Sequence, residues 1–397
     1  MEFNINKASP VALDRVSSYD ADAIESVLRA QIDKLGVSDM FKDKVVAIKP
    51  NLVMKKSPEA AATTHPAVLE AVIRILKDCA KDIVIAESPG GLYTPQTLSA
   101  TYKGCGISAV AEKYGVKLNL DVSARDVEAP SGKTSKMFSI ITPILDADVI
   151  VNLAKLKSHS LTGYSGAVKN YFGTVPGVTK FEMHARFPDY NDFGSMLVDL
   201  CQMHLESKPT FNVLDGILAM EGNGPTGGNP RKVECILSGT NPFTVDNIGA
   251  QIIGVDGIIM LDEGARRGLG AECASEITLL SDEPIENFKV DDFEKPDTAK
   301  KRGIGSSLLA KLPTMFGGRL NSWLQPRPVI NTKTCVGCGE CERSCPRHTI
   351  EMRTNKKGKK QAFIIDNECI KCYCCQELCP FKAVKIKKNP IIKIIGG

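Results

Sequence analysis

The feature that most constrains this chain is a cysteine pattern that occurs twice. Cys335-x2-Cys338-x2-Cys341-x3-Cys345-Pro346 recurs as Cys369-x2-Cys372-x2-Cys375-x3-Cys379-Pro380. Three cysteines spaced by two residues bring three thiolates onto one iron–sulfur cube, and the fourth, ahead of a proline, ligates the cube of the other copy. The spacing therefore predicts two [4Fe–4S] clusters. One is expected on Cys335, Cys338, Cys341 and Cys379, the other on Cys369, Cys372, Cys375 and Cys345. A structural zinc module needs four ligands per ion, but neither the repeated fourth cysteine nor its proline. Nine of the 14 cysteines lie in residues 331–397; Cys374 is left over as a spare thiol beside the ligands. Such a cluster of cysteines in an intracellular chain points to metal ligation rather than disulfides.

Charge is uneven in the same way. Residues 331–397 carry 14 Lys and Arg against 6 Asp and Glu, while the whole chain is only +4. Two oxidised cubes with their thiolates contribute about −4, so much of this basic surface compensates cluster charge and nucleic acid is not the expected partner. Apolar residues at 43% and charged residues at 24% exclude wholesale disorder. No apolar run approaches the ~20 residues of a membrane span. The N-terminal MEFNINKASPVALDR lacks the basic stretch and apolar core of a signal peptide, and a soluble, cytoplasmic protein is expected.

The first ~300 residues alternate apolar runs with helical patterns, the mark of an α/β domain on a mostly parallel sheet. Strands are predicted at Val45–Val53, Asp82–Glu87, Val149–Leu156, Phe211–Leu218 and Val233–Leu237. Helices are predicted at Pro66–Cys79, with Thr64 as cap, and at Asp192–Leu205 and Pro242–Ile253. Ligands of open α/β sheets sit at the carboxyl ends of strands. This singles out Lys49-Pro50-Asn51, Ser88–Gly91, the Gly-rich Glu221–Pro230 and, above all, Lys155–His184 (KLKSHSLTGYSGAVKNYFGTVPGVTKFEMH). The last packs lysines and histidines among glycines, including Gly166, a combination suited to phosphate or carboxylate. His65 opens a helix and is a candidate acid/base. His204 reads as structural, His348 as a cluster neighbour, and Asp215, Glu221 and Asn223 as ligands for a metal or polar substrate.

These residues carry a resemblance. VVAIKPNLV, TTHP, VNLAKLKSHSLTGYSGAVKNYFGTVPG and VLDGILAMEGNGP resemble the uncharacterised domain-of-unknown-function family 362, often fused to a two-cluster ferredoxin. The cysteine repeat is similar to the bacterial two-cluster ferredoxins over residues ~329–388, with Glu351–Ile365 as a hairpin turning at Asn355–Lys360. More distantly, His159-x3-Gly163-Tyr164-Ser165-Gly166-x2-Lys169, Pro176-Gly177 and His184 are similar to the nickel-dependent lactate racemase superfamily. That resemblance implies Lys169 as the tether of a nickel-pincer nucleotide, His184 as the nickel ligand, and His159 with His65 as the acid/base pair. Ala167-Val168 stand where the superfamily has Gly-Arg.

The expectation is an α/β, mostly parallel sheet domain (1–300), a linker (301–328) with a short helix and Trp323, and a small α+β two-cluster ferredoxin-like domain (329–397). The function expected is an anaerobic iron–sulfur oxidoreductase that relays electrons through two [4Fe–4S] clusters to a small anionic molecule. Lys49, Asn51, Lys155 and Gly166 would bind the anion, and His65, His159, Lys169 and His184 would do chemistry. A second cofactor in the α/β domain is left open, as is assembly into an oligomer. The alternatives are a non-catalytic ferredoxin or maturation donor serving a redox partner, docked through Lys356–Lys360, the Trp323 linker and the apolar tail Ile391–Ile395, and a nickel-pincer epimerase.

Overall fold

The structure, a computed structural model, describes residues 5–299 and 325–388. Trp323 with its linker helix and the tail Ile391–Ile395 lie outside the described residues.

β1 (Val11–Arg15), β2 (Val45–Pro50), β3 (Asp82–Ile85) and β4 (Lys117–Leu118) are followed by a hairpin of β5 (Ala124–Glu128) and β6 (Met137–Ile141) that stands off the main sheet. β7 (Val149–His159), β8 (Gly163–Ser165), β9 (Thr210–Glu221), β10 (Asn229–Gly239) and β11 (Leu279–Leu280) complete the sheet. Its order is β11-β1-β10-β9-β7-β2-β3-β4, with β8 folded back on β7. The β9-β7-β2-β3-β4 half is parallel throughout, and the antiparallel pairs β1·β10, β9·β10 and β7·β8 make the whole sheet mixed. Every residue of β7 is buried, as a central parallel strand covered on both faces requires. Along it Val149, Val151 and Leu153 enter one core and Ile150, Ala154 and Leu156 the other. The first core is closed by Ala21–Leu35 and Pro66–Lys77, the second by Tyr190–Ser207 and Pro242–Ile252.

Element boundaries shift from expectation for local reasons. His65, not Thr64, caps Pro66–Lys77: its ring nitrogen accepts from the Ala67 N–H. The Thr64 hydroxyl instead donates to the Leu153 carbonyl at 2.6 Å. β7 runs on to His159, past the expected end at Leu156, so Lys157, expected beyond the strand, is a strand residue like Lys155. β2 stops at Pro50, where proline ends the ladder.

β12 (Arg327–Ile330) pairs antiparallel with β15 (Val384–Lys387), and β13 (Ile350–Thr354) with β14 (Lys360–Ile364). β12 begins inside the stretch expected to be linker. The β13–β14 turn is built by the Asn355 side chain, which accepts from the N–H groups of Lys357 and Lys359 at 2.9 and 3.0 Å. One-turn helices Glu340–Arg343 and Cys374–Glu377 follow the cysteine loops. Among the described residues no helix is long and apolar enough to cross a membrane.

Candidate functional site

The two cysteine loops fold as copies of one another. Gly337 and Lys371, Gly339 and Tyr373, and His348 and Lys382 occupy equivalent places, and all six have left-handed backbone. The Thr349 N–H donates to the Cys345 sulfur at 3.3 Å, and the Ala383 N–H to the Cys379 sulfur at 3.2 Å. Cys335, Cys338, Cys341 and Cys379 line one cavity of about 330 Å³. Cys345, Cys369, Cys372 and Cys375 line a second of about 320 Å³. The chain thus crosses over, each copy lending its fourth cysteine to the other. Among the described residues no three His, Cys, Asp or Glu side chains gather closely enough to hold a single metal ion. The thiols ring a cavity instead of converging on a point, an arrangement that fits a multi-iron cube better than zinc.

A third cavity, of about 640 Å³, lies where the ferredoxin-like unit meets the α/β sheet. Its α/β wall comes from the carboxyl ends of β2, β3 and β7 and from the segment after β8: Asn51, Ser88, Lys157, Lys169, Lys180 and His184, with Phe172 and Phe181. Its other wall is Cys374, Glu377 and Leu378. The Thr226 hydroxyl donates to the Glu377 carbonyl at 2.5 Å, Gln376 Nε2 to the Asn223 carbonyl at 2.9 Å, and Lys382 Nζ to the Gly228 carbonyl at 3.1 Å. The Gly-rich loop expected to cradle a ligand therefore holds the two units together, with only Pro225 reaching the cleft.

Three lysines and two carboxylates, Glu87 and Glu377, line the cleft. Lys157 donates to the Asn51 side chain and the Ala62 carbonyl at 2.6 and 2.8 Å, and Lys180 to the Ser88 carbonyl. The half-buried Lys169 has the Phe172 ring 5.8 Å from its amine. Burial, reinforced by the Lys169 charge, pushes Lys157 down to about 7. Burial likewise pushes Lys180 down to about 7, against the pull of Glu87, and lowers Lys169. His184 stacks on Phe193 at 4.3 Å, and burial beside Lys169 drives its imidazole down to about 3. The Ser88 hydroxyl is buried without a hydrogen-bond partner. Amines, an amide and a free hydroxyl in one pocket suit a small anion.

Other expected residues are employed elsewhere. Lys49 is wholly buried against Glu87 at 2.6 Å; burial pushes its ammonium down and the Glu87 carboxyl up, while their contact draws each back. Lys155 donates to Asp215 at 2.8 Å and to the Tyr19 hydroxyl at 2.7 Å. His65 stacks on Tyr19 at 3.5 Å, and burial lowers it to about 4. None of Lys49, Lys155 and His65 lines the cleft, nor does Gly166, whose missing side chain leaves room for Asp246. Asp246 accepts from the N–H groups of Ala167 and Val168 at 2.6 and 2.9 Å and so sets the start of the turn carrying Lys169. His159 stands behind the cleft: its Nδ1 accepts from Leu161 N–H at 3.0 Å, which puts its proton on Nε2, 3.9 Å from Glu377. Glu221 and Asn223 hold Glu294 and Asp297. His348 is exposed. Sequence reasoning missed Glu87, Glu377 and Asp246; the unpaired Cys374 was the one signal pointing to the second wall.

Residues 46–251 match the family described as domain of unknown function DUF362, and residues 334–383 a 4Fe-4S dicluster domain. A thylakoid-associated protein of Synechocystis is 31% identical over 299 residues, covering 72% of this chain and 88% of that protein. Two solved structures overlap less. A Thermotoga maritima protein has 13% identity and a TM-score of 0.36, covering 58% of this chain and 57% of its own. The lactate racemase apoprotein of Thermoanaerobacterium thermosaccharolyticum has 14% identity and a TM-score of 0.37, covering 59% and 54%. This chain belongs to the DUF362 family and couples its α/β domain to a 4Fe-4S electron-transfer domain.

Proposed function

We propose that this protein is an iron–sulfur oxidoreductase that delivers electrons to a small anion held in the cleft between its two units. The observation that carries this reading is the single turn Cys374–Glu377. Cys375 on that turn lines a four-thiol cavity, while Cys374 and Glu377 line the cleft. In this reading Cys335, Cys338, Cys341 and Cys379 hold one cube and Cys369, Cys372, Cys375 and Cys345 the other. When bound, the cubes supply one-electron transfer. Lys157, Lys169 and Lys180 attract and orient the anion, Ser88 and Asn51 offer it hydrogen bonds, and Phe172, Phe181 and Leu378 exclude water from it. At neutral pH the His184 imidazole stays unprotonated and serves as a hydrogen-bonding group, while a lysine near 7, Lys157 or Lys180, is placed to give or take a proton. All fourteen cysteines are free, which fits a reducing, cytoplasmic compartment.

Protein purified without oxygen is expected to hold about eight irons and as many sulfides per chain. Reoxidation of the photoreduced protein by a panel of small anionic acceptors should include at least one that depends on Lys169, slowing about tenfold or more in Lys169→Ala at unchanged iron content. Wild-type rates with every acceptor in both Lys169→Ala and Lys180→Ala would sink the reading.

One observation favours a second reading, the nickel-pincer epimerase: Lys169 and His184 face the same cleft. The same purified protein decides it, because nickel together with an intact-mass adduct on Lys169 is expected only there.

A further inference from the structure

The two four-thiol cavities share a fold but not a surface. Of the eight thiols that line them, only Cys338 is exposed. Beside it stand two of the few large apolar side chains left in solvent among the described residues, Val336 at 52% and Phe381 at 49% exposure, and both line the Cys338 cavity. They come from different cysteine loops and meet only because the chain crosses over. Their counterparts in the other copy are Ile370, half-buried, and Arg347. The apolar lip is thus a property of one cavity, while the other is next to Cys374 of the cleft wall, whose side chain contacts Cys372.

We infer that the Val336–Cys338–Phe381 lip is the docking surface for an acidic one-electron carrier protein, and that electrons pass there between the carrier and this protein. The inference rests on the cleft reading for the far end of the path. An apolar patch rimmed by charge is the usual anatomy of a protein contact. The rim here is basic. Lys333 precedes the lip, exposed; Lys382 follows it, exposed but with its amine on the Gly228 carbonyl of the α/β unit at 3.1 Å; and the backbone of the exposed Lys360 packs on Gly337 between Val336 and Cys338. Of the nearby acids, Glu340 is paired with Arg343 at 2.7 Å, which leaves Glu342, bonded to the Met352 N–H at 3.3 Å, as the one carboxylate against these lysines. A carrier with an acidic rim and an apolar centre complements this surface and is steered to it. In the transfer one electron leaves the reduced carrier, which is oxidised by one, and enters the Cys338-side cluster, which is reduced by one; no bond forms or breaks.

The test uses the intact cluster-loaded protein and reduced flavodoxin as an acidic one-electron probe, followed by stopped flow at low and high salt. Lys333→Glu and Lys360→Glu should each lower the second-order rate about tenfold at low salt. Reduction by dithionite, the iron content and the electron paramagnetic resonance spectrum should stay as in the wild type, and Arg347→Glu on the other lip should leave the flavodoxin rate unchanged. Wild-type flavodoxin rates in both lysine variants, or an equal loss in Arg347→Glu, would overturn the docking site. Neither result touches the cleft reading, whose readout is reoxidation by small anions in Lys169→Ala.

Discussion

Buried ionisable residues decide what this α/β unit tolerates. Lys49–Glu87, Lys155–Asp215 and Arg267–Asp199 are ion pairs with almost no exposure, and each satisfies backbone or amide groups as well. Histidines obey the same logic in neutral form. His204 is buried at 2.9 Å from the Thr174 hydroxyl and stacked near Tyr171, and burial pushes it down to about 3. Below its ordinary value of about 6.5 the unfolded chain takes up a proton that the folded one refuses, so this contribution to stability is complete above that pH and is lost as pH falls toward 3. His204→Asn is therefore expected to lose about 2 kcal/mol less stability than wild type between pH 7 and pH 5. Urea midpoints followed by circular dichroism at the two pH values check this; equal losses would refute it. His204 was legible in the sequence as structural because it sits on an amphipathic helix. Lys49 and Lys155 were not, since their partners arrive from other parts of the chain, Glu87 just beyond β3 and Asp215 on β9.

Among the elements, the loop between β9 and β10 changed role most. Its glycines suggested a cradle for a ligand, yet a side chain at Gly224 would stand 2.1 Å from the Ser158 carbonyl oxygen. The same residue's carbonyl accepts from Ser160 N–H at 3.0 Å. Glycine is needed there because two backbones touch, and the loop so held presents Asn223, Thr226 and Gly228 to the ferredoxin-like unit. Gly224→Ala is expected to destabilise the α/β unit by about 1–3 kcal/mol and to release its neighbour. Hydrogen exchange at Gln376 and Leu378 should rise, whereas exchange in the buried strand β7 should change least. Exchange at Gln376 that matches wild type would show that the contact is dispensable. Sequence periodicity found β2, β3, β7, β9, the core of β10 and the helices Pro66–Lys77, Tyr190–Ser207 and Pro242–Ile252, but not Ala21–Leu35, β1 or the β5–β6 hairpin. β1 is a short strand whose partners, β10 and β11, lie far along the chain, so nothing local announces it.

For the whole molecule, the cleft exists only while both units are in place. Its amines belong to one unit, and Cys374, Glu377 and Leu378 to the other, on a segment bracketed by Cys372 and Cys379. Removing iron with a chelator and reductant is therefore expected to abolish binding of oxalate, used as a probe anion, by isothermal titration, although none of the three lysines touches a four-thiol cavity. Undiminished oxalate binding by the iron-free protein would show that the lysines suffice. The sequence by itself determined the two cysteine sets, the parallel α/β class and the segment from Lys155 to His184, because each is written in short-range spacing: thiols two and three residues apart, apolar runs of strand length, glycines among lysines. Only the tertiary structure decided which lysines face the cleft and which are spent on buried carboxylates. It also decided that Cys374 is a wall of the site. Those outcomes depend on partners 38 residues away in Lys49–Glu87 and 60 in Lys155–Asp215, and on a second domain, and no local pattern encodes a contact between chain segments that distant.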